Sequence, residues 1–117
     1  MAVLQPKNMY RGYLGVGSPS AASVLYTAPV NAGSYSIIKE VVLCNTGATI
    51  ATVDLYTIES AGSVAANRKI ISSAEIDPGT TVVFEMSTVL EDQDTIRGAA
   101  DPAAQVTATI SGVEFSV

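Results

Sequence analysis

The sequence predicts an all-β protein, an antiparallel β-sandwich, jelly-roll-like, of about eight strands. Stretches with strand character alternate at short intervals with clusters of Gly, Pro, Asn and Asp, which is the spacing of sandwiches and barrels. Hydrophobic residues make up 48% of the 117 positions, yet the chain has two Phe and no Trp. Small and β-branched residues in that proportion favour sheets packed face to face. No segment carries a sustained helical pattern.

The central strands are predicted from the hydrophobic pattern of two neighbouring runs. Residues 35–44 form the strongest strand candidate, and an Asn-Thr-Gly turn follows them. In the second run, residues 49–58, Val53 and Leu55 alternate with Asp54. A buried carboxylate without a partner is costly, so the side with Val53 and Leu55 is expected to face the core. The two runs are predicted to pair as a hairpin.

The second half of the chain alternates regularly and then changes phase. An Asp-Pro-Gly turn at residues 77–79 precedes a strand in which Val82, Phe84 and Met86 point to one side. In the last strand, apolar residues stand at even positions before Gly112 and at odd positions after it. A β-bulge, or a bend from one sheet to the other, is therefore expected at this glycine.

The first part of the chain is the least regular, and it divides the prediction into two units. Residues 1–21 are predicted as an irregular N-terminal arm and a candidate anchor, and residues 22–117 as the β-sandwich domain. Tyr10, Tyr13 and Leu14 in the arm are the predicted interface residues, because tyrosine offers a large contact area at small entropic cost. The remaining tyrosines are expected to cap the ends of the core, namely Tyr26, Tyr35 and Tyr56.

The residue types exclude the common catalytic and metal-binding constellations. The chain has no histidine, and its one cysteine, Cys44, is expected to be buried in an apolar run. The acidic residues between positions 91 and 94 lack the offsets of a calcium loop and predict a solvated turn. The glycines Gly15 and Gly17 are followed by Ser-Pro-Ser, which predicts a turn and no phosphate cradle. No enzyme activity, cofactor or metal is predicted.

Charge and hydropathy indicate a protein that assembles with other proteins. The net charge is −5, and six Lys and Arg cannot neutralise a phosphate track, so no nucleic-acid partner is predicted. No secretory signal and no stretch of about 20 apolar residues is found, so we expect folding in a cytosol and no membrane insertion. Only 15% of residues are charged and the mean hydropathy is +0.35. A lone monomer of this composition would be sticky, which predicts a homo-oligomer or a larger assembly.

Four stretches resemble a pattern found in small structural proteins of tailed bacteriophages. They are residues 24–29, 38–45, 53–56 and 105–115. The resemblance implies a β-sandwich on the virion, either associated with the tail, baseplate or fibre or decorating the capsid. It further implies synthesis in the bacterial host cytoplasm, other virion proteins as partners, and a homo-oligomer, with a trimer favoured.

A carbohydrate-binding or receptor-binding sandwich is the alternative, since exposed tyrosines could stack on sugars. The arrangement of exposed aromatic residues separates the two functions. A concave cluster of tyrosines among polar neighbours favours sugar binding, whereas a flat apolar patch favours assembly.

Overall fold

The computed structural model describes residues 3–15 and 22–116. Within these residues the chain forms eight β-strands and one 3-10 turn, and no helix is long and apolar enough to cross a membrane. The strands are β1 (Val3–Tyr13), β2 (Ser23–Thr27), β3 (Tyr35–Asn45), β4 (Ala51–Ile58), β5 (Lys69–Ile76), β6 (Thr81–Glu91), β7 (Thr95–Asp101) and β8 (Val106–Ser116), with the 3-10 turn at Ala66–Arg68.

The strands form two antiparallel four-stranded sheets, which confirms the predicted β-sandwich of eight strands. Sheet A has the order β1-β8-β3-β6, and sheet B has the order β2-β7-β4-β5. Most consecutive strands lie in opposite sheets, and the order of each sheet is that of a jelly roll built from two Greek keys. β1 lies close to β2, and β3 close to β5. The other side of the sandwich is therefore bounded by the edge strands β6 and β5.

The core lies between the sheets and is made of aliphatic side chains from both. Val53 and Leu55 are fully buried, as predicted. Val82, Phe84 and Met86 share one side of β6, also as predicted, but they are only half-buried because β6 is an edge strand. The largest fully buried side chains are Leu14, Ile38, Val41, Leu43, Val53, Leu55, Ile58, Ile76, Leu90, Ile96, Val106 and Ile110.

The predicted hairpin of β3 with β4 is wrong, because the two strands lie in different sheets. Asn45, at the end of β3, is fully buried and holds the crossing. Its Nδ2 donates to the carbonyl oxygens of Thr49 and Ile76, each at 2.8 Å, and its Oδ1 accepts the Gly47 N–H at 2.9 Å. The turn after β3 agrees with the prediction. The Asn45 side chain, however, connects this turn to the end of β5 in sheet B.

Asp54 lies on the side of β4 opposite the core, as predicted, yet it is buried. Its Oδ1 is 3.0 Å from Lys69 Nζ and accepts the Ser73 N–H at 2.9 Å. The hydrogen bond to Asp54 raises the pKa of Lys69. Beside it, Tyr56 and Ile58 belong to a second, smaller apolar cluster on this face of sheet B. The carboxylate is therefore buried with partners, which removes the cost of an isolated charge.

The irregular arm predicted for residues 1–21 is wrong for residues 3–13, which form the edge strand β1. This strand pairs with β8 over its whole length, from Val3 opposite Ser116 to Tyr13 opposite Thr107. Residues 16–21 lie outside the described residues. The division of the chain at residue 21 stays a prediction.

β8 stays in sheet A past Gly112, which corrects the expected change of sheet. It pairs with β1 and β3 along its full length, and the irregularities lie in those neighbours, with Met9 and Lys39 as the extra residues. Gly112 is required by close approach, since a β-carbon there would lie 2.0 Å from the Ile37 carbonyl oxygen. The apolar residues that follow Gly112 consequently stay in the same sheet and point away from the core.

Candidate assembly surface

Outward-facing side chains of sheet A form two apolar rows across its strands. The register aligns β1, β8 and β3 in one row and all four strands in the next. The rows are Leu4, Phe115 and Tyr35, followed by Pro6, Val113, Ile37 and Val89. We refer to these seven residues as the apolar face.

Side chains of the apolar face contact one another across neighbouring strands, but their solvent-facing side is not covered. The rings of Tyr35 and Phe115 stack with centroids 5.0 Å apart and planes 16° apart. Side chains in the middle strands are half-buried by their neighbours, whereas Leu4 and Val89 at the two edges are 61% and 58% exposed. A contiguous apolar patch of this kind on a sheet is typical of a protein–protein contact surface.

A polar cluster beneath the apolar face fixes the end of the sandwich. The Tyr26 hydroxyl donates to Glu114 Oε2 and lies 2.8 Å from Ser36 Oγ, which leaves the Ser36 hydroxyl as the donor to Tyr26. Lys7 Nζ lies 4.0 Å from the same Glu114 oxygen. Burial, followed by the hydrogen bond to the Glu114 carboxylate, raises the pKa of Tyr26 to about 12. The cluster ties β2 of sheet B to β3 and β8 of sheet A.

The rest of the outer face of sheet A is more polar. A shallow depression of about 430 Å³ beside Ser111 is lined by Arg11 and Lys39, and also by Lys7, whose ammonium group lies near Glu114. Cys44 also belongs to this outer face, where it is half-buried, so its predicted place in the core is wrong. The apolar face is thus bordered by a basic region around the two irregularities in β1 and β3.

The predicted interface residues are placed in three different environments. Tyr13 is 50% exposed, and its hydroxyl lies 3.4 Å from Thr46 Oγ1. Tyr10 is half-buried against the core and donates to the Tyr13 carbonyl oxygen. Leu14 is fully buried in the core, so it cannot meet a partner in the folded domain and its prediction is corrected. A contact role stays a prediction for Tyr10 and Tyr13.

The other tyrosines do not form a concave cluster. Tyr26 is buried in the main core, whereas Tyr56 is buried in the smaller apolar cluster on the opposite face of sheet B and does not cap the core. Tyr35 stacks on Phe115 in the apolar face, so its predicted capping role is wrong. Two depressions on the outer face of sheet A, one beside Ser111 and one beside Ser87, have no tyrosine in their lining. The aromatic arrangement on which the sugar-binding alternative depends is not found among the described residues.

The central residues of the apolar face were missed by the sequence reasoning, although they left a signal. The phase change after Gly112 was interpreted as a bulge or a change of sheet. Val113 and Phe115 instead continue the strand with apolar side chains on its outer face. When apolar residues occupy the outward-facing positions of a continuous strand in a sandwich, they indicate an exposed apolar surface.

Asp94 stabilises the turn between β6 and β7 and links it to the segment that follows β4. Asp94 Oδ2 accepts the Glu91 N–H at 2.9 Å, and its Oδ1 lies 3.3 Å from the donating Ser60 N–H. Across residues 3–15 and 22–116, no group of three or more His, Cys, Asp or Glu side chains is placed to hold a metal ion.

Comparisons with solved structures identify the class of fold. A crystal structure of the T13 viral particle of infectious bursal disease virus superposes with a TM-score of 0.55 at 12% identity, covering 99% of this chain and 31% of that one. The VP2 subviral particle of the same virus gives 0.58 at 15% identity, covering 97% and 32%. A protein of the Bacillus endospore appendages, described as a novel family of disulfide-linked pili, gives 0.53 at 14% identity, covering 99% and 88%.

These likenesses show the fold, a jelly-roll sandwich shared with subunits of assembled particles and fibres. The chain spans about a third of the length of the viral proteins it matches. No protein-family model matches the chain, and no curated protein matches it.

Proposed function

We propose that this chain is a non-enzymatic structural protein of a bacteriophage virion, which assembles on the particle through protein–protein contacts. Its place is in the tail, baseplate or fibre, or on the capsid as a decoration protein. The proposal includes a homo-oligomer, with a trimer as the expected state from the resemblance to tailed-phage proteins. Other virion proteins are the proposed partners, without nucleic acid or membrane insertion.

The apolar face is the observation that carries this proposal. Its seven side chains cross all four strands of sheet A, and no other element of the described chain covers them. Burying such a surface against another protein removes apolar area from water at about 25 cal/mol per Å². The structural neighbours support the same conclusion, since those named are a viral particle, a subviral particle and a pilus.

The role of the apolar face is tested by charged substitutions far from the core. In the Leu4→Lys, Val113→Lys double variant, two ammonium groups would have to be desolvated on assembly. We expect sedimentation velocity over a concentration series to show smaller species for this variant than for the wild type. Circular dichroism spectra of the two proteins should be superimposable.

The matched control carries the same charge change on exposed apolar residues elsewhere. Val24, on β2 of sheet B, and Val30, in the following connection, are both exposed. The Val24→Lys, Val30→Lys variant should sediment like the wild type. Equal sedimentation of the apolar-face variant and the wild type would reject the apolar face as an assembly surface.

The location on a particle is tested by labelling. Gold-conjugated antibodies against the purified chain should decorate phage particles in electron micrographs, on the tail or on the capsid. The virion role would be refuted if particles of the phage that encodes the chain carried no gold label and mass spectrometry detected no peptide of the chain in them.

A further inference from the structure

Strand β6 is the least protected edge of the sandwich. Native edge strands are usually blunted by proline, irregularities or short length. β1 contains Pro6, β2 has five residues, and β5 has two register shifts against β4 with Ser73 at positive φ. β6 has eleven residues, no proline and no positive φ, and its single register shift against β3 lies at Met86 and Ser87.

The side chains of β6 keep to two faces along the whole edge. Its register with β3 shifts by one residue between Glu85 and Thr88, but exposed and half-buried side chains alternate without a break up to Val89. On the outer face, Val83 is 52% exposed. On the inner face, Phe84 packs against the core but is only half-buried, so part of its side chain is exposed. Apolar groups on both faces are thus exposed at an unpaired strand.

We propose that β6 pairs antiparallel with β6 of a second copy of this chain, about a two-fold axis at Met86, joining the two copies of sheet A into one continuous sheet. This register uses all eleven residues of the strand. It places Thr81, Val82, Val83, Phe84 and Glu85 opposite Glu91, Leu90, Val89, Thr88 and Ser87 of the second copy.

Charge complementarity selects this register. Lys39 Nζ donates to Ser87 Oγ at 3.0 Å. Glu85 of the second copy stands opposite Ser87, so its carboxylate reaches the ammonium group of Lys39, and the two-fold axis repeats the contact. Within its own sheet, Glu85 faces Glu40, a like charge that Lys39 of the second copy would offset. A register centred on residue 85 would oppose two glutamates.

The apolar groups are matched as well. Val83 and Val89 of the second copy meet on the outer face, where β-branched cross-strand pairs are favourable. On the inner face, half-buried Phe84 stands opposite half-buried Thr88 of the second copy, which covers part of its exposed flank. The pairing therefore continues the apolar face of one copy towards the other, and main-chain hydrogen bonds complete the unpaired edge.

The pairing stands independently of the virion role, since it follows from the edge strand alone. It gives a two-fold unit, whereas the resemblance favours a trimer. Sedimentation of the Leu4→Lys, Val113→Lys variant separates the two, because both substitutions lie outside β6. That variant should retain the β6 pairing while losing larger species.

A register-specific cross-link tests the proposal. In a Cys44→Ser background, the Val83→Cys, Val89→Cys variant places thiols directly opposite one another, about 5 Å apart between Cα atoms and within disulfide reach. Mild oxidation should give a covalent dimer on non-reducing gels. The single variants Val83→Cys and Val89→Cys should remain monomeric, since identical positions would lie about 20 Å apart. A double variant that stays monomeric, or single variants that cross-link equally well, would overturn the proposal.

A charge exchange provides the second test and leaves the fold intact. Lys39→Glu alone and Glu85→Lys alone each create two like-charge contacts, and dimerisation should weaken roughly tenfold. The combined Lys39→Glu, Glu85→Lys variant restores opposite charges and should recover most of the affinity, measured by sedimentation equilibrium. Additive losses in the combined variant would contradict the contact.

Discussion

Replacing Tyr26 by phenylalanine removes one hydroxyl from the polar cluster beneath the apolar face. Ser36 is fully buried and loses its acceptor, and Glu114 loses its donor from Tyr26. An unpaired buried polar group costs about 1–3 kcal/mol. Glu114 retains slight exposure and lies 4.0 Å from Lys7, so it can recover part of the loss. The free energy of unfolding should therefore fall by about 2 kcal/mol.

Thermal unfolding followed by circular dichroism at pH 7 measures this loss. For a domain of about this size, 2 kcal/mol corresponds to a Tm lower by roughly 8–10 °C. Tyr13→Phe is the matched control, because the Tyr13 hydroxyl is at an exposed site and its nearest side-chain partner is 3.4 Å away. The control should change stability by less than about 0.5 kcal/mol.

The dependence of stability on pH above 10 provides an independent test of the same cluster. The pKa of Tyr26 is about 12 in the folded protein, against 10.0 for free tyrosine, because burial and the Glu114 carboxylate disfavour the phenolate. The folded state binds this proton more tightly, so the stabilisation is complete below pH 10 and is lost as the pH rises towards 12. The Tyr26→Phe variant should lack this part of the alkaline decline. A variant with a wild-type Tm and an unchanged decline would refute the cluster.

Three further predictions concern the framework around the surface. Gly112→Ala should lower stability by about 2–3 kcal/mol, because its β-carbon meets a backbone carbonyl that cannot move cheaply; Gly15→Ala, with open space at that position, should change the denaturation midpoint little. Asp54→Ala removes the acceptor of the part-buried Ser73 N–H as well as the partner of Lys69, and chemical denaturation should show a loss of about 1–2 kcal/mol from the unpaired N–H. Deleting residues 1–13 removes β1 and exposes β8 along its length, so gel filtration should show aggregation; a soluble folded monomer would contradict the structural role of β1.

Local patterns were sufficient to predict the class of fold and most of the strands. Alternation identified the inward residues of β6, and the Asp-Pro-Gly turn was placed correctly, with Gly79 at positive φ. Local patterns could not predict which strands are neighbours in a sheet. The Asn45 turn appears as a hairpin signal in the sequence, whereas its direction depends on hydrogen bonds to Thr49 and to Ile76, 31 residues away.

The composition predicted that the protein has an apolar assembly surface, but the residues that form this surface were not predicted. Composition indicated surplus apolar area, and the irregular pattern before residue 21 directed attention to the tyrosines there. Leu14 was misplaced because a lone leucine beside glycines carries no periodicity that shows which way it points. The alternation of Val113 and Phe115 assigns side chains to two faces without showing which face is covered, because that is decided by the packing of sheet B on one face of sheet A.

The pairing of β1 with β8 determines how the domain can be extended. Val3 lies opposite Ser116, so polypeptide joined before the first strand and polypeptide joined after the last would leave from the same end of the sandwich. That end also carries Leu4 and Phe115 of the apolar face. A fluorescent protein fused at either terminus would therefore crowd the apolar face, whereas one inserted at the Asp-Pro-Gly turn before β6 would project from the opposite end. Fusions at the termini and at that turn thus offer a steric means of switching off contacts at the apolar face while the fold is kept.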